Sequence, residues 1–210
     1  MSDYQAMPEP LPTPGDGPFT FGSFHRLAKL HRGQLSLWAE LVARTPDARI
    51  EIADVATEDA RARVLEPFLG RGISPDRVGT HARLERSQYW ELMRRTHLAL
   101  DAYPYNGGAT TCEALWMGVP VGSRAGRHGF SRSGASILSA IGLAELVAPN
   151  DAEYLQTAAA LASDRERLGA LRHGLRDRML RSPLLDAAGF MRDLEYAYRQ
   201  VWREYCSADE

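Results

Sequence analysis

Short apolar segments alternate with longer amphipathic ones along nearly the whole chain, and that alternation leaves few folds open. "FTFGSF", from Phe19, reads as a strand; "GQLSLWAELVAR", Gly33 to Arg44, reads as a helix with Leu35, Trp38, Leu41 and Val42 on one face. "ARIEIADV" follows as a strand, and Thr57 is placed to cap a helix carrying Val64, Leu65 and Phe68. "GISPDRVGTH" is a turn into a short strand, "RSQYWELMRR" a helix, and "HLALDAYP" a strand stopping at Pro104. The stretch "YNGGATTCEALWMGVPVGS", Tyr105 to Ser123, supplies another helix and, from Val119, another strand. "ASILSAIGL", "ELVAP" as a last strand, and two or three helices from about Asp151 to Tyr205 complete the pattern. Strands separated by helices of about ten to fifteen residues predict βαβ units and a parallel sheet. Right-handed crossovers put helices on both of its faces. The helical tail is longer than such a sheet needs for cover, so part of it is expected to reach towards another domain.

The organisation expected is therefore a lead-in or linker over 1–18, rich in Pro, Gly and acidic residues, an α/β domain over 19–150, and C-terminal helices over 151–210. The lead-in has no basic region followed by an apolar one, as a signal peptide would. No apolar run approaches the roughly 20 residues that span a bilayer. The net charge of -2 offers no footprint for nucleic acid or an anionic membrane. Cys112 and Cys206 are too few and too far apart for a disulfide framework or a metal site, so a reduced, cytoplasmic setting is the expectation.

The chemistry concentrates where the strand ending near Asp101 gives way to "YNGGATT". In an open parallel sheet, ligands bind outside the carboxyl ends of the strands, often at helix N-termini. A helix starting near Gly108 to Thr110 presents unpaired N–H groups and the positive end of its dipole. Gly107 and Gly108 let an anion approach the backbone, and Thr110 and Thr111 add hydroxyl donors. Glu113, three residues after Thr110, lies on the same side and can accept hydrogen bonds from a ribose. The same "T-x-x-E" spacing also has the form of a capping box, and spacing alone weighs the two readings evenly. The stretch matches neither G-x-G-x-x-G nor G-x-x-x-x-G-K-[ST].

Lys29 adds a second signal. Among 25 basic residues it is the sole lysine, a compact point charge in a chain that otherwise writes arginine. It follows the first strand, so its ammonium can sit at the same carboxyl edge. A lysine and a helix N-terminus together can neutralise a departing diphosphate without a metal. No Asp-x-Asp pair exists to hold one. The six histidines are scattered and read as surface or satisfied core residues. Trp38, Trp90, Trp116 and Trp202 fall at helical positions and read as core; Cys112 reads as an inert buried thiol. The basic, Gly-rich "RAGRHGFSRSG" reads as a solvated loop or as a contact for phosphate or acceptor.

Four blocks in order carry a resemblance: "FGSFHRLAKL", "ALDAYPYNGGATTCEALWMGVPV", "SRSGASILSAIGLAELVA" and "RSPLLDAAGFMRDLEYAYRQVW". From about Phe19 to Cys206 the chain resembles the C-terminal part of O-linked N-acetylglucosamine transferases of the SPINDLY type, especially bacterial ones. The resemblance implies the Rossmann-like, donor-binding C-terminal half of a two-domain GT-B glycosyltransferase. It implies transfer of N-acetylglucosamine from UDP-GlcNAc to Ser or Thr hydroxyls of proteins, with inversion and without metal or other cofactor. By the match, Lys29 is the lysine that neutralises the diphosphate. Asn106, Gly107, Gly108, Ala109, Thr110 and Thr111 form the phosphate-facing stretch, and Glu113 is the acid at the ribose. Leu84 to Leu92 lines the base, with Tyr89 where some members have histidine.

The chain also departs from that pattern. Ala109 lacks a hydroxyl many members carry, which neighbouring Thr111 could replace. His25 and Arg26 stand where amides are common, and "GRHGFSR" places its histidine one position off. The implied N-terminal half and tetratricopeptide array, with the general base and acceptor groove, are not in this sequence. Its partners would be a nucleotide sugar, a protein acceptor and that half. A catalytically incomplete nucleotide-binding fragment and a GDP-fucose-using relative remain open alternatives.

Overall fold

In the computed structural model, which describes residues 7–10 and 17–208, the alternation resolves into six strands and eight helices among the described residues. They are β1 (Thr20–Ser23), α1 (Arg32–Arg44), β2 (Arg49–Ile52), α2 (Glu58–Leu69), β3 (Val78–Thr80), α3 (Arg86–Arg95), β4 (Leu98–Leu100) and α4 (Ala109–Trp116). After these come β5 (Val121–Arg124), α5 (Ser133–Ala140), β6 (Val147–Ala148), α6 (Asp151–Ser163), α7 (Arg165–Leu180) and α8 (Ala187–Ala208). The strands form one sheet in the order β3-β2-β1-β4-β5-β6, every neighbouring pair parallel. This is the Rossmann-like α/β architecture expected.

Central strand β4, Leu-Ala-Leu, is apolar and buried throughout because both faces of the sheet are covered there. Phe21, Ile50, Ile52, Leu98 and Leu100 are essentially inaccessible. Phe21 stands in register with Ile50 on one side and Leu98 on the other. Trp38 on α1 is fully enclosed, and its indole N–H donates to the Tyr154 hydroxyl of α6 at 3.2 Å. Helix starts follow local chemistry. Thr57 Oγ1 accepts from Ala60 N at 3.2 Å, Asn150 Oδ1 from Glu153 N at 2.9 Å, and Asp164 Oδ1 from Arg167 N at 2.9 Å. Buried Arg172 of α7 donates to the carbonyls of Thr96 (2.7 Å), Arg94 (3.2 Å) and His97 (3.3 Å). It thereby satisfies backbone oxygens where α3 ends and β4 begins.

Three details differ from the sequence expectation. β4 ends at Leu100 rather than Pro104, because Asp101 turns inward to take hydrogen bonds from Ser123 and Gly107. β5 starts at Val121 rather than Val119, since Val119 N still donates to Ala114 O of α4. Trp202 is not core: it is 65% exposed on α8, beside equally exposed Tyr198, Val201 and Tyr205. That helix packs against the Pro183–Leu185 turn and leaves its apolar face open. Most of the 1–18 lead-in lies outside the described residues. Its Met7 is buried against the domain, where Pro8 and Glu9 bond to Arg176.

Candidate functional site

The strand order reverses between β1 and β4: crossovers from β1 run one way through β2 and β3, and the chain then returns to lay β4 on β1's other side. Outside the carboxyl ends of those two strands a parallel sheet opens a crevice that no crossover covers. Phe24 to Leu30 emerge there from β1 and Asp101 to Gly108 from β4, so the two segments singled out in the sequence meet at one edge.

Lys29 lies in a short 3-10 turn, Leu27–Lys29, and its ammonium donates to Asn106 O at 3.1 Å. The same ammonium sits 5.4 Å from the Tyr105 ring centroid. The 101–108 loop is held from all sides. Ala102 N donates to His25 Nε2 (3.2 Å), Tyr103 N to Gln34 Oε1 (3.0 Å), Asn106 N to Phe130 O (3.0 Å) and Gly107 N to Asp101 Oδ1 (2.7 Å). Asn106 is buried, its amide donating to Ala102 O at 2.8 Å. It shapes the loop, and only its backbone carbonyl meets Lys29.

Helix α4 then begins at Ala109, with Gly108 at its N-cap and no side-chain cap. Thr110 is the second helical residue rather than the cap, so the capping-box reading of "T-x-x-E" is overturned and the first-turn N–H groups stay uncovered. Gly108 and Ala109 are exposed, and a Cβ on Gly108 would meet nothing within 4 Å. Gly107 is the opposite: a Cβ there would fall 2.4 Å from Thr111 Oγ1, 2.7 Å from Thr110 Oγ1 and 2.8 Å from His25 Cε1. Half-buried Thr110 sits with its hydroxyl 3.5 Å from His25 Nδ1. Thr111 turns its hydroxyl inward, where it is buried without a protein partner. It does not replace the hydroxyl missing at Ala109, because a helix rotates successive residues by about 100° and only Thr110 faces the edge.

Two buried titratable groups set the electrostatics beneath the α4 start. Burial, and next the Lys29 charge, press the His25 imidazole down from 6.5 to about 4, so it is neutral at pH 7. Since the Ala102 amide can only donate, His25 Nε2 accepts and the ring proton stands on Nδ1, towards Thr110. Burial raises the Asp101 carboxyl from 3.8 to about 6, opposed by hydrogen bonds from Ser123 Oγ (2.6 Å) and Gly107 N (2.7 Å). Asp101 is therefore mostly ionised at neutral pH, and Lys29 and the uncapped helix end bring positive charge to the surface above it.

Along α4 from Thr110, a cavity of about 640 Å³ is lined by Leu84, Tyr89, Trp90, Glu113, Arg83, Glu85, Arg86 and Met7. It joins the expected base segment to the expected ribose acid. The Tyr89 hydroxyl donates to Glu113 Oε2 at 3.5 Å, and its ring meets Phe24 edge-on at 5.7 Å. Burial raises the Glu113 carboxyl, opposed by Tyr89 and Arg86, and raises the Tyr89 phenol further. An aromatic base face, apolar walls and an acceptor carboxylate are the chemistry a nucleoside requires.

Sequence reasoning missed several residues that build this edge. Asp101 was readable as a carboxylate closing an apolar strand, and His25 and Gln34 as polar residues flanking one. The "RAGRHGFSRSG" loop is not simply solvated: Phe130 stacks on Tyr105 at 5.0 Å, and Arg124 lies 3.9 Å over Tyr103. Half-buried Cys112 has its thiol raised by burial, in keeping with an inert role.

The chain matches the model of glycosyl transferase family 41 over residues 12–194. It is 38% identical to the probable UDP-N-acetylglucosamine–peptide N-acetylglucosaminyltransferase SPINDLY of Solanum lycopersicum, over 95% of this chain and 22% of that protein. Among solved structures it superposes on an O-GlcNAc transferase mutant of Thermobaculum terrenum with a TM-score of 0.86 and 33% identity. That superposition covers 96% of this chain and 40% of the other. WaaG, a glycosyltransferase involved in lipopolysaccharide biosynthesis, shares the fold at a TM-score of 0.61 and 14% identity, over 86% of this chain and 47% of that one. The chain thus spans about a fifth of the length of the SPINDLY relative.

Proposed function

The chain belongs to glycosyl transferase family 41, and on that premise we propose that it is the donor-binding part of a transferase moving N-acetylglucosamine from UDP-GlcNAc to a protein hydroxyl. One observation carries the reading: Lys29, in the turn after β1, bonds the loop that leads into the uncapped α4 start, and Glu113, one turn along α4, lines a cavity with Tyr89. The base and ribose occupy the cavity, with Glu113 accepting from ribose hydroxyls, and the diphosphate lies across Gly108, Ala109 and Thr110.

The reaction is a displacement. An acceptor hydroxyl attacks the anomeric carbon from the face opposite UDP, the bond to the β-phosphate oxygen breaks, and the sugar inverts. Negative charge grows on that phosphate, where the Lys29 ammonium and the α4 N–H groups stabilise it without reorganising. Losing one such donor costs about 100-fold in rate. The reading requires no metal. The acceptor groove and general base are assigned to a further domain seated on the apolar face of α8, where Tyr198, Val201, Trp202 and Tyr205 stand exposed.

Isothermal titration with UDP, GDP and UDP-GlcNAc tests the reading. Wild type is expected to bind UDP, and Lys29→Ala to lose that binding while melting at the wild-type temperature, since Lys29 makes a single partly exposed hydrogen bond. UDP affinity unchanged in Lys29→Ala would remove the lysine from the phosphate. Preference for GDP would move the donor towards the fucose alternative.

A further inference from the structure

The N-terminal segment enters the same cavity from outside the α/β domain. Met7 is 7% exposed and lines the cavity together with Tyr89 and Glu113, although a linker residue has no need of a buried side chain. The segment is fastened to the helices beneath it. Arg176 of α7 donates through Nη2 to Pro8 O (2.8 Å), through Nη1 to Glu9 Oε1 (2.9 Å) and through Nε to Trp116 O at the end of α4 (3.0 Å). One planar guanidinium thus joins the segment to the helix whose other end forms the phosphate seat. Beyond the latch, Pro10 packs on Gly118, where a Cβ would fall 2.7 Å from Pro10 Cβ and φ is +73°. No side chain other than glycine's fits that crossing.

We propose that Met7 is a nucleoside-contacting residue: the Met7–Pro10 strap, latched by Arg176, closes the open wall of the base-and-ribose cavity. This deepens the nucleotide-site reading above and rests on it. A thioether side chain is apolar and adaptable, suited to the edge or face of a base that Tyr89 and Trp90 approach from the α3 side. The strap's contribution falls on the nucleoside and not on the diphosphate, which sits at the other end of α4 with Lys29.

The two ends can be titrated separately, with whichever of UMP and GMP the wild-type chain binds and with inorganic pyrophosphate. Met7→Ala is expected to weaken nucleoside monophosphate binding about tenfold, from the loss of most of one buried apolar side chain, and to leave pyrophosphate unchanged. Lys29→Ala shows the reverse pattern. Arg176→Gln, which frees the strap, weakens the monophosphate in the same direction, and the Met7→Ala/Arg176→Gln double variant is no weaker than Met7→Ala alone. Wild-type monophosphate affinity in Met7→Ala overturns the inference and leaves the site standing, as does an equal loss for pyrophosphate. A folded wild-type chain that binds neither nucleotide overturns the site reading, and the strap's role with it.

Discussion

Replacing Asp101 with asparagine tests whether a buried carboxyl beneath the 101–108 loop makes the stability of the fold depend on pH. The Asp101 carboxyl titrates at about 6 in the fold against an ordinary 3.8, raised by burial. Between those values the folded chain holds a proton that the unfolded chain has lost. Its contribution is therefore complete below about pH 4 and is lost as pH rises through about 6. A separation of about two pH units corresponds to roughly 3 kcal/mol at about 1.4 kcal/mol per unit. His25 runs the other way. Depressed from 6.5 to about 4, it contributes fully above 6.5 and loses that contribution as pH falls towards 4. In the wild type the two slopes oppose each other across pH 4 to 6. Asparagine keeps the shape of Asp101 and an acceptor for Gly107 N, and removes the titration. Urea unfolding of both chains from pH 4.5 to 7.5 is the assay. The variant should compare best with wild type at pH 7.5 and lose ground below about pH 6.5, by about 2 kcal/mol at pH 4.5. His25→Gln should show the opposite trend. A difference between Asp101→Asn and wild type that does not vary with pH would refute the buried-charge account.

Gly107→Ala forces a Cβ against the side chains of Thr111, Thr110 and His25; a loss of about 1–3 kcal/mol in urea unfolding, together with weakened UDP binding, is expected. An alanine variant with wild-type stability would mean that the loop does not pass this close to α4. Ala109→Thr adds a hydroxyl at an exposed first-turn position, so titration should find UDP affinity equal or higher; a large loss would displace the phosphate from the α4 start. Arg172→Met keeps the apolar stem but leaves the carbonyls of Arg94, Thr96 and His97 without this donor, and should lower stability by about 2–4 kcal/mol by thermal or chemical unfolding. A neutral effect would show that those carbonyls find other partners.

Much of the fold was legible because its signals are local. A helix announces itself by apolar residues recurring at its own period, as at Leu35, Trp38, Leu41 and Val42, and a start by a residue such as Thr57 that bonds three positions on. The alternation of such segments limits the chain to a parallel sheet. The lone lysine and the paired glycines stood out as a point charge and bare backbone, and the fold brings them to one edge of that sheet. The sequence left open everything that depends on which distant segments meet. Ala102 and His25 are 77 positions apart, and only the placement of β4 beside β1 brings them within hydrogen-bonding distance. Thr110 and Thr111 look alike in the sequence; packing buries the second and leaves the first at the edge. Met7 lies in a stretch whose composition reads as linker, and Arg176 on α7 gives it a place at the cavity. Periodicity and turn chemistry are properties of neighbours along the chain. Burial, the ionisation it shifts and the walls of a cavity are properties of neighbours in space, which only the folded structure assigns.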